Sequence, residues 1–164
     1  MLRRTLLTAA CVLAAAAPPA LAAMPSPSVA AVQVALRARG AYEGPIDGIR
    51  GPLTEAAIVR FQRAQGLVAD GRVGPRTRRA LGPLGRPELG QRELWLGHVG
   101  WDVAALEFTL RRYGLPEGAI DGRFDGRTAG ALRRYQQTAG LVADGIAGPR
   151  TYRALARTAR RTSR

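Results

Sequence analysis

One block of this sequence occurs twice. Gly66-Leu67-Val68-Ala69-Asp70-Gly71 returns unchanged as Gly140-Leu141-Val142-Ala143-Asp144-Gly145, and Gly74-Pro75-Arg76-Thr77 returns as Gly148-Pro149-Arg150-Thr151, both at an offset of 74 residues. Held at that offset, Val29 to Leu81 aligns with Val103 to Leu155 without a gap, with 28 identities in 53 positions, too many for chance. A fixed-offset duplication means that the fold is one small unit built twice. At about 50 residues without a disulfide, such a unit buries barely enough apolar surface to offset its chain entropy, so its helices have to be well signalled.

The signals are present in both copies. Val29, Val32, Ala35 and Leu36 share one helical face that Gly40 can end, and Val103, Leu106 and Leu110 repeat that face before Gly114. A middle helix begins at Gly51-Pro52, where proline at the first helical position gives up an amide hydrogen that had no partner, and at Asp125, a good capping side chain. Ala57, Ile58 and Phe61, matched by Ala131, Leu132 and Tyr135, line one side of it, and Gly66 or Gly140 follows its end. Gly74-Pro75 and Gly148-Pro149 open a third helix that closes on Leu81 or Leu155. The expected fold class is mainly α, two tandem three-helix modules, with a short extended pair between Leu67-Val68 and the Tyr42 to Ile46 turn.

The remaining segments frame the two copies. Residues 1–22 read as a cleaved secretory leader: Arg3 and Arg4 form a basic start, Leu6 to Ala17 is apolar, and Ala20-Leu21-Ala22 supplies small residues for the peptidase. Pro18 and Pro19 stop the apolar run short of the ~20 residues that span a membrane. The single cysteine, Cys11, lies in this leader, so the mature chain has no disulfide, thiol nucleophile or thiolate metal site. The domain reading is then a first module at 29–82, a linker at 83–101 rich in Gly and Pro, a second module at 102–156, and a basic tail at 157–164 that frays. Trp95 and Trp101 are read as packing the linker against one or both modules, with stacking on carbohydrate as the alternative.

Charge supplies a weaker clue. The chain carries 25 basic and 12 acidic residues, a formal net charge of +13, and without Arg3 and Arg4 the mature chain has 23 against 12, about +11. An anionic partner follows, but every basic residue is arginine, which beside abundant Ala, Gly and Pro also fits a GC-rich genome. Export by the leader, with no aromatic stacking strip, argues against nucleic acid.

Ile46-Asp47-Gly48, Thr54, Phe61-Gln62, Gly66-Leu67, Asp70-Gly71, Gly74-Pro75 and Thr77 together resemble the signature of the peptidoglycan-binding domain family found beside cell-wall hydrolases. Ile120-Asp121-Gly122, Thr128, Tyr135-Gln136, Gly140-Leu141, Asp144-Gly145, Gly148-Pro149 and Thr151 resemble it in register in the second copy. The chain departs from the family's usual Leu-Gln pair in the first helix, with Val32-Gln33 and Leu106-Glu107, and from Phe-Gly before the middle helix, with Arg50-Gly51 and Phe124-Asp125. The resemblance implies a helical fold with a shallow groove for bacterial wall polymer and no chemistry of its own.

Most of the motif reads as structural. Asp in an Asp-Gly pair bonds nearby amides and Gly takes positive φ, which assigns Asp47, Asp70, Asp121 and Asp144 to turns rather than to calcium, an ion needing typically 6–8 oxygens. Phe61 and Tyr135 read as core. Tyr42, Gln62, Arg76, Gln136 and Arg150 are the ligand candidates, because a glycan with peptide stems presents hydroxyls, amides and carboxylates that Gln and Arg can bind. No catalytic, metal or cofactor site is expected: His98 is the only histidine and stands in the linker, and among the glutamates only Glu43 and Glu117 correspond between the copies, one carboxylate per unit on a Gly-flanked turn. The functional reading is a secreted or envelope-associated monomer that binds peptidoglycan, or another anionic wall polymer, without catalysis and without a membrane anchor. The alternatives are a secreted protein that uses the groove for a protein or peptide, and a wall hydrolase with an unrecognised site.

Overall fold

A computed structural model describes residues 24–115 and 118–162; the leader expected at 1–22 lies outside the described residues. The architecture is the expected one, six α-helices in two groups of three: α1 Pro27–Ala38, α2 Pro52–Ala64 and α3 Pro75–Leu81, then α4 Trp101–Arg112, α5 Gly126–Thr138 and α6 Pro149–Thr162. A 3-10 turn, Gly82–Gly85, extends α3. Gly51 and Gly74 are the N-caps ahead of Pro52 and Pro75, and the Asp125 side chain accepts the amides of Arg127 and Thr128. The segment expected to fray continues α6 as far as Thr162, in keeping with the high helix propensity of its Ala and Arg residues.

Each unit is tied together by a polar knot that occurs twice. Gln33 Nε2 donates to Asp47 Oδ1 at 2.7 Å and to Thr54 Oγ1 at 3.1 Å, while its Oε1 accepts the Gly48 amide at 2.9 Å. Gln62 repeats the pattern with Asp70 Oδ1 (2.9 Å), Thr77 Oγ1 (3.2 Å) and the Gly71 amide (2.9 Å), and Gln136 repeats it with Asp144, Thr151 and Gly145. In every knot the threonine follows the aspartate by seven residues, so an amide on one helix fixes both the turn and the start of the next helix. In the fourth knot Glu107 takes the glutamine's place, and its carboxylate accepts the amides of Asp121 and Gly122 and the Thr128 hydroxyl. Among the described residues no buried side-chain polar atom lacks a partner.

The two units share a core. Val103, Leu106 and Leu110 of α4 face their own unit with Leu132, Tyr135 and Leu155, but Ala104, Ala105 and Phe108 belong to the first unit's cluster with Ala30, Ala31 and Val34 of α1. These are equivalent positions at the 74-residue offset, so α1 and α4 pack through matching faces in which alanines allow close approach. A Cβ on Gly48, whose φ is +70°, would stand 2.6 Å from Phe108 Cζ; the second unit's phenylalanine fills the space that this glycine leaves. Trp101 opens α4, is buried, and lies under the Arg78 guanidinium at 4.6 Å.

The segment between the units is strapped to the second one. Arg92 holds the buried Asp102 through Nε at 2.7 Å and Nη2 at 3.2 Å, and the Tyr152 hydroxyl donates to the Arg92 carbonyl at 2.7 Å. Leu94 pairs antiparallel with Ala147 and Val99 with Arg123. These isolated bridges are the β pairing among the described residues; the expected pair between Leu67-Val68 and the Tyr42 to Ile46 turn is absent from them.

Candidate ligand grooves

The second knot of each unit underlies an open groove. In the first unit Leu67, Val68, Asp70, Arg72, Gly74, Pro75, Arg76 and Thr77 surround a volume of about 460 Å³, with Gln62 at its base. In the second, Leu141, Val142, Asp144, Ile146, Gly148, Pro149, Arg150 and Thr151 surround about 610 Å³ over Gln136. These eight positions correspond at the 74-residue offset, so the duplication repeats a surface as well as a fold, and Glu93, Gly140 and Arg153 line the second groove alone. One wall is the chain leaving the middle helix; the other is the first turn of the third helix, held against it by the glutamine.

The lining combines an apolar lip with free cations. Val68 and Val142 are 75% and 74% exposed, solvent-facing positions where a folded chain has no need of valine. Leu67 and Leu141 stand half-buried beside them. Arg76 and Arg150 are exposed and form no ion pair among the described residues. The aspartates are committed to the turns: the Arg72 amide, and then the Gln62 side chain, hold the Asp70 carboxyl below its ordinary range, and the Ile146 amide and Gln136 do the same for Asp144. Each groove therefore offers guanidiniums to an anion and an apolar edge to a carbon skeleton.

The structure divides the ligand candidates. Arg76 and Arg150 line the two grooves. Gln62 and Gln136 touch the grooves only from beneath, 1% exposed, with their amide hydrogens directed at aspartate, threonine and a carbonyl. Tyr42 is in neither groove: it is buried, donates to the Pro45 carbonyl at 2.7 Å and receives Gln33 Nε2 at 3.2 Å. Phe61 and Tyr135 are in the core, and Thr54, Thr77, Thr128 and Thr151 are buried in the knots. Gly48, Gly66, Gly71, Gly122, Gly140 and Gly145 take positive φ, while Gly74 and Gly148 cap helices without it. Reasoning from polarity passed over Val68, Val142, Arg72 and Arg153; the available signal was an apolar Leu-Val pair just beyond a helix end in both copies.

The peptidoglycan binding domain family matches twice, over residues 25–81 and 100–155, the span of both three-helix units. The chain belongs to the peptidoglycan-binding domain family. Several similar proteins are named as enzymes. The chain is 42% identical over 105 residues to the N-acetylmuramoyl-L-alanine amidase CwlM of Mycobacterium tuberculosis, covering 62% of this chain and 26% of that protein. A spore cortex-lytic enzyme of Bacillus cereus is 42% identical over 55 residues, 34% of this chain and 21% of its own length. The zinc D-Ala-D-Ala carboxypeptidase of Streptomyces albus G is 56% identical over 34 residues, 21% of this chain and 13% of its own. The chain thus spans well under half the length of each of these relatives. No solved structure matches it significantly.

Proposed function

We propose that this chain binds bacterial cell-wall peptidoglycan without catalysis, through one groove in each of its two modules, at the cell envelope after removal of the 1–22 leader. The observation that carries this reading is the repetition of the surface: Leu-Val lip, unpaired arginine and turn recur at the 74-residue offset around open grooves. Stem peptides offer carboxylates to Arg76 and Arg150, which can hold them through paired hydrogen bonds, and their aliphatic side chains suit the Val68 and Val142 edges. Modules at 29–82 and 102–156 in a shared core gain avidity when one polymer reaches both grooves.

The test is co-sedimentation of the mature chain with purified sacculi at low salt and at about 0.5 M salt, where surface attraction is largely screened. Retention at high salt, reduced in the Arg76→Ala, Arg150→Ala double variant, is the expected result. Binding lost with salt and indifferent to the double variant would reduce the interaction to the net positive charge. Loss of sacculus turbidity would overturn the non-catalytic reading.

A further inference from the structure

The grooves differ most in a wall that comes from outside the repeat. At the 74-residue offset Glu93 and Trp95 fall opposite Pro19 and Leu21 of the leader, so the first unit has no counterpart to them. Leu94 exchanges both backbone hydrogen bonds with Ala147, at 3.1 and 2.8 Å, and both residues are fully buried. In extended pairing the neighbours of a buried residue turn to the opposite face, which sends Glu93 and Trp95 outward opposite Gly148 and Ile146. Glu93 is accordingly part of the second groove's lining. A Cβ on Gly148 would lie 2.9 Å from Glu93 Oε1, whereas one on the equivalent Gly74 would meet nothing within 4 Å.

The added wall changes the chemistry of the site. Glu93 forms no hydrogen bond or ion pair among the described residues, although Arg150 and Arg153 line the same groove. Its second neighbour Trp95, about 6.7 Å along an extended chain, is 49% exposed and packs against His98 with ring centroids 4.2 Å apart. An unpaired carboxylate and the face of an indole both attract a cation. Ile146 also stands where the first groove has Arg72, while Arg153 joins Arg150, so the second groove keeps two guanidiniums and gains an acceptor.

We propose that the second groove, unlike the first, reads an ammonium group: Glu93 accepts it, with Trp95 beside it, while Arg150 and Arg153 take a neighbouring carboxylate. The ligand is then a zwitterionic part of the wall, a free amine close to an acid, as on stem peptides that are not cross-linked; the first groove takes the acid alone. This inference rests on the wall-binding reading.

Acetylation of the free amines of sacculi separates it from simple attraction. Removing positive charge from the polymer strengthens the pull on a basic chain, so charge alone predicts tighter binding to acetylated sacculi, whereas the Glu93 contact predicts weaker binding. The wild-type mature chain should bind acetylated sacculi about two- to fivefold more weakly than untreated ones, the range expected for a partly exposed ion pair. Glu93→Gln should bind untreated sacculi with a similar loss and should no longer bind acetylated sacculi more weakly than untreated ones, with an unchanged melting temperature. Wild-type binding that ignores or gains from acetylation, or a weakening by acetylation that persists in Glu93→Gln, overturns the inference and leaves the wall reading standing. No binding to either preparation overturns both.

Discussion

Replacing Glu107 with glutamine should stabilise this protein by an amount that grows as pH rises above about 4.5 and is nearly complete at pH 7. Glu107 stands where the first unit has Gln33, and burial, reinforced by the nearby Asp121 charge, pushes its carboxyl from 4.5 up to about 7. Between these values the folded chain keeps a proton that the unfolded chain has lost, so stability falls as pH rises through the window and is constant above it. Full ionisation of the buried group costs the native state on the order of 3 kcal/mol. In Glu107→Gln an amide replaces the carboxylate, keeps the acceptor for the Asp121 and Gly122 amides, and supplies a donor for Asp121 and Thr128 in the pattern that Gln33 makes with Asp47 and Thr54. The variant should gain about 2–3 kcal/mol near pH 8, or roughly 6–10 °C in melting temperature, and almost nothing near pH 4.5. Thermal melts of parent and variant across that range read the difference directly. A gain equal at both pH values, or a loss at pH 8, would refute the account.

Three further outcomes follow from the same contacts. Phe61→Ala removes an α2 side chain buried in the first unit's core and should cost about 3–5 kcal/mol in urea unfolding; parental stability would contradict its place in the core. Asp102→Asn breaks the charge-assisted contact that holds the strap at Arg92, and should lower stability by about 1–3 kcal/mol while weakening sacculus binding more than Arg76→Ala does in the same background. Asp125, Asp70 and Asp144 are held below their ordinary range by backbone amides, first Thr128, Arg72 and Ile146 respectively, so they stabilise the fold above about pH 4 and that support disappears as pH falls. Asp125→Asn, which can still cap α5, should therefore lose less stability than the parent between about pH 5 and pH 2.5, and equal acid sensitivity would count against the cap.

The fold was largely legible because its signals are local. Gly51-Pro52, Gly74-Pro75 and Asp125 announce helix starts, and a duplication shows each signal twice. The site was less legible, because a polar side chain in the sequence says nothing about which way it faces. Gln62 and Gln136 looked like ligand groups and are interior ties; the clue was the constant seven-residue step from aspartate to threonine, which Gln33 serves as well. The α1–α4 contact was hidden for another reason. Ala30 and Ala31 contribute little to apolar periodicity, yet their small size is what lets the helices approach.

That contact bears on how such a protein can change over generations. A crossover at Gly82 that carried the first repeat into another gene would leave Ala30, Ala31 and Val34 facing water and the space beside Gly48 without Phe108. The donor would keep Phe108 and Ala104 equally bare. Recombination can therefore move the pair freely, but a solitary copy must first acquire polar substitutions along its leading helix.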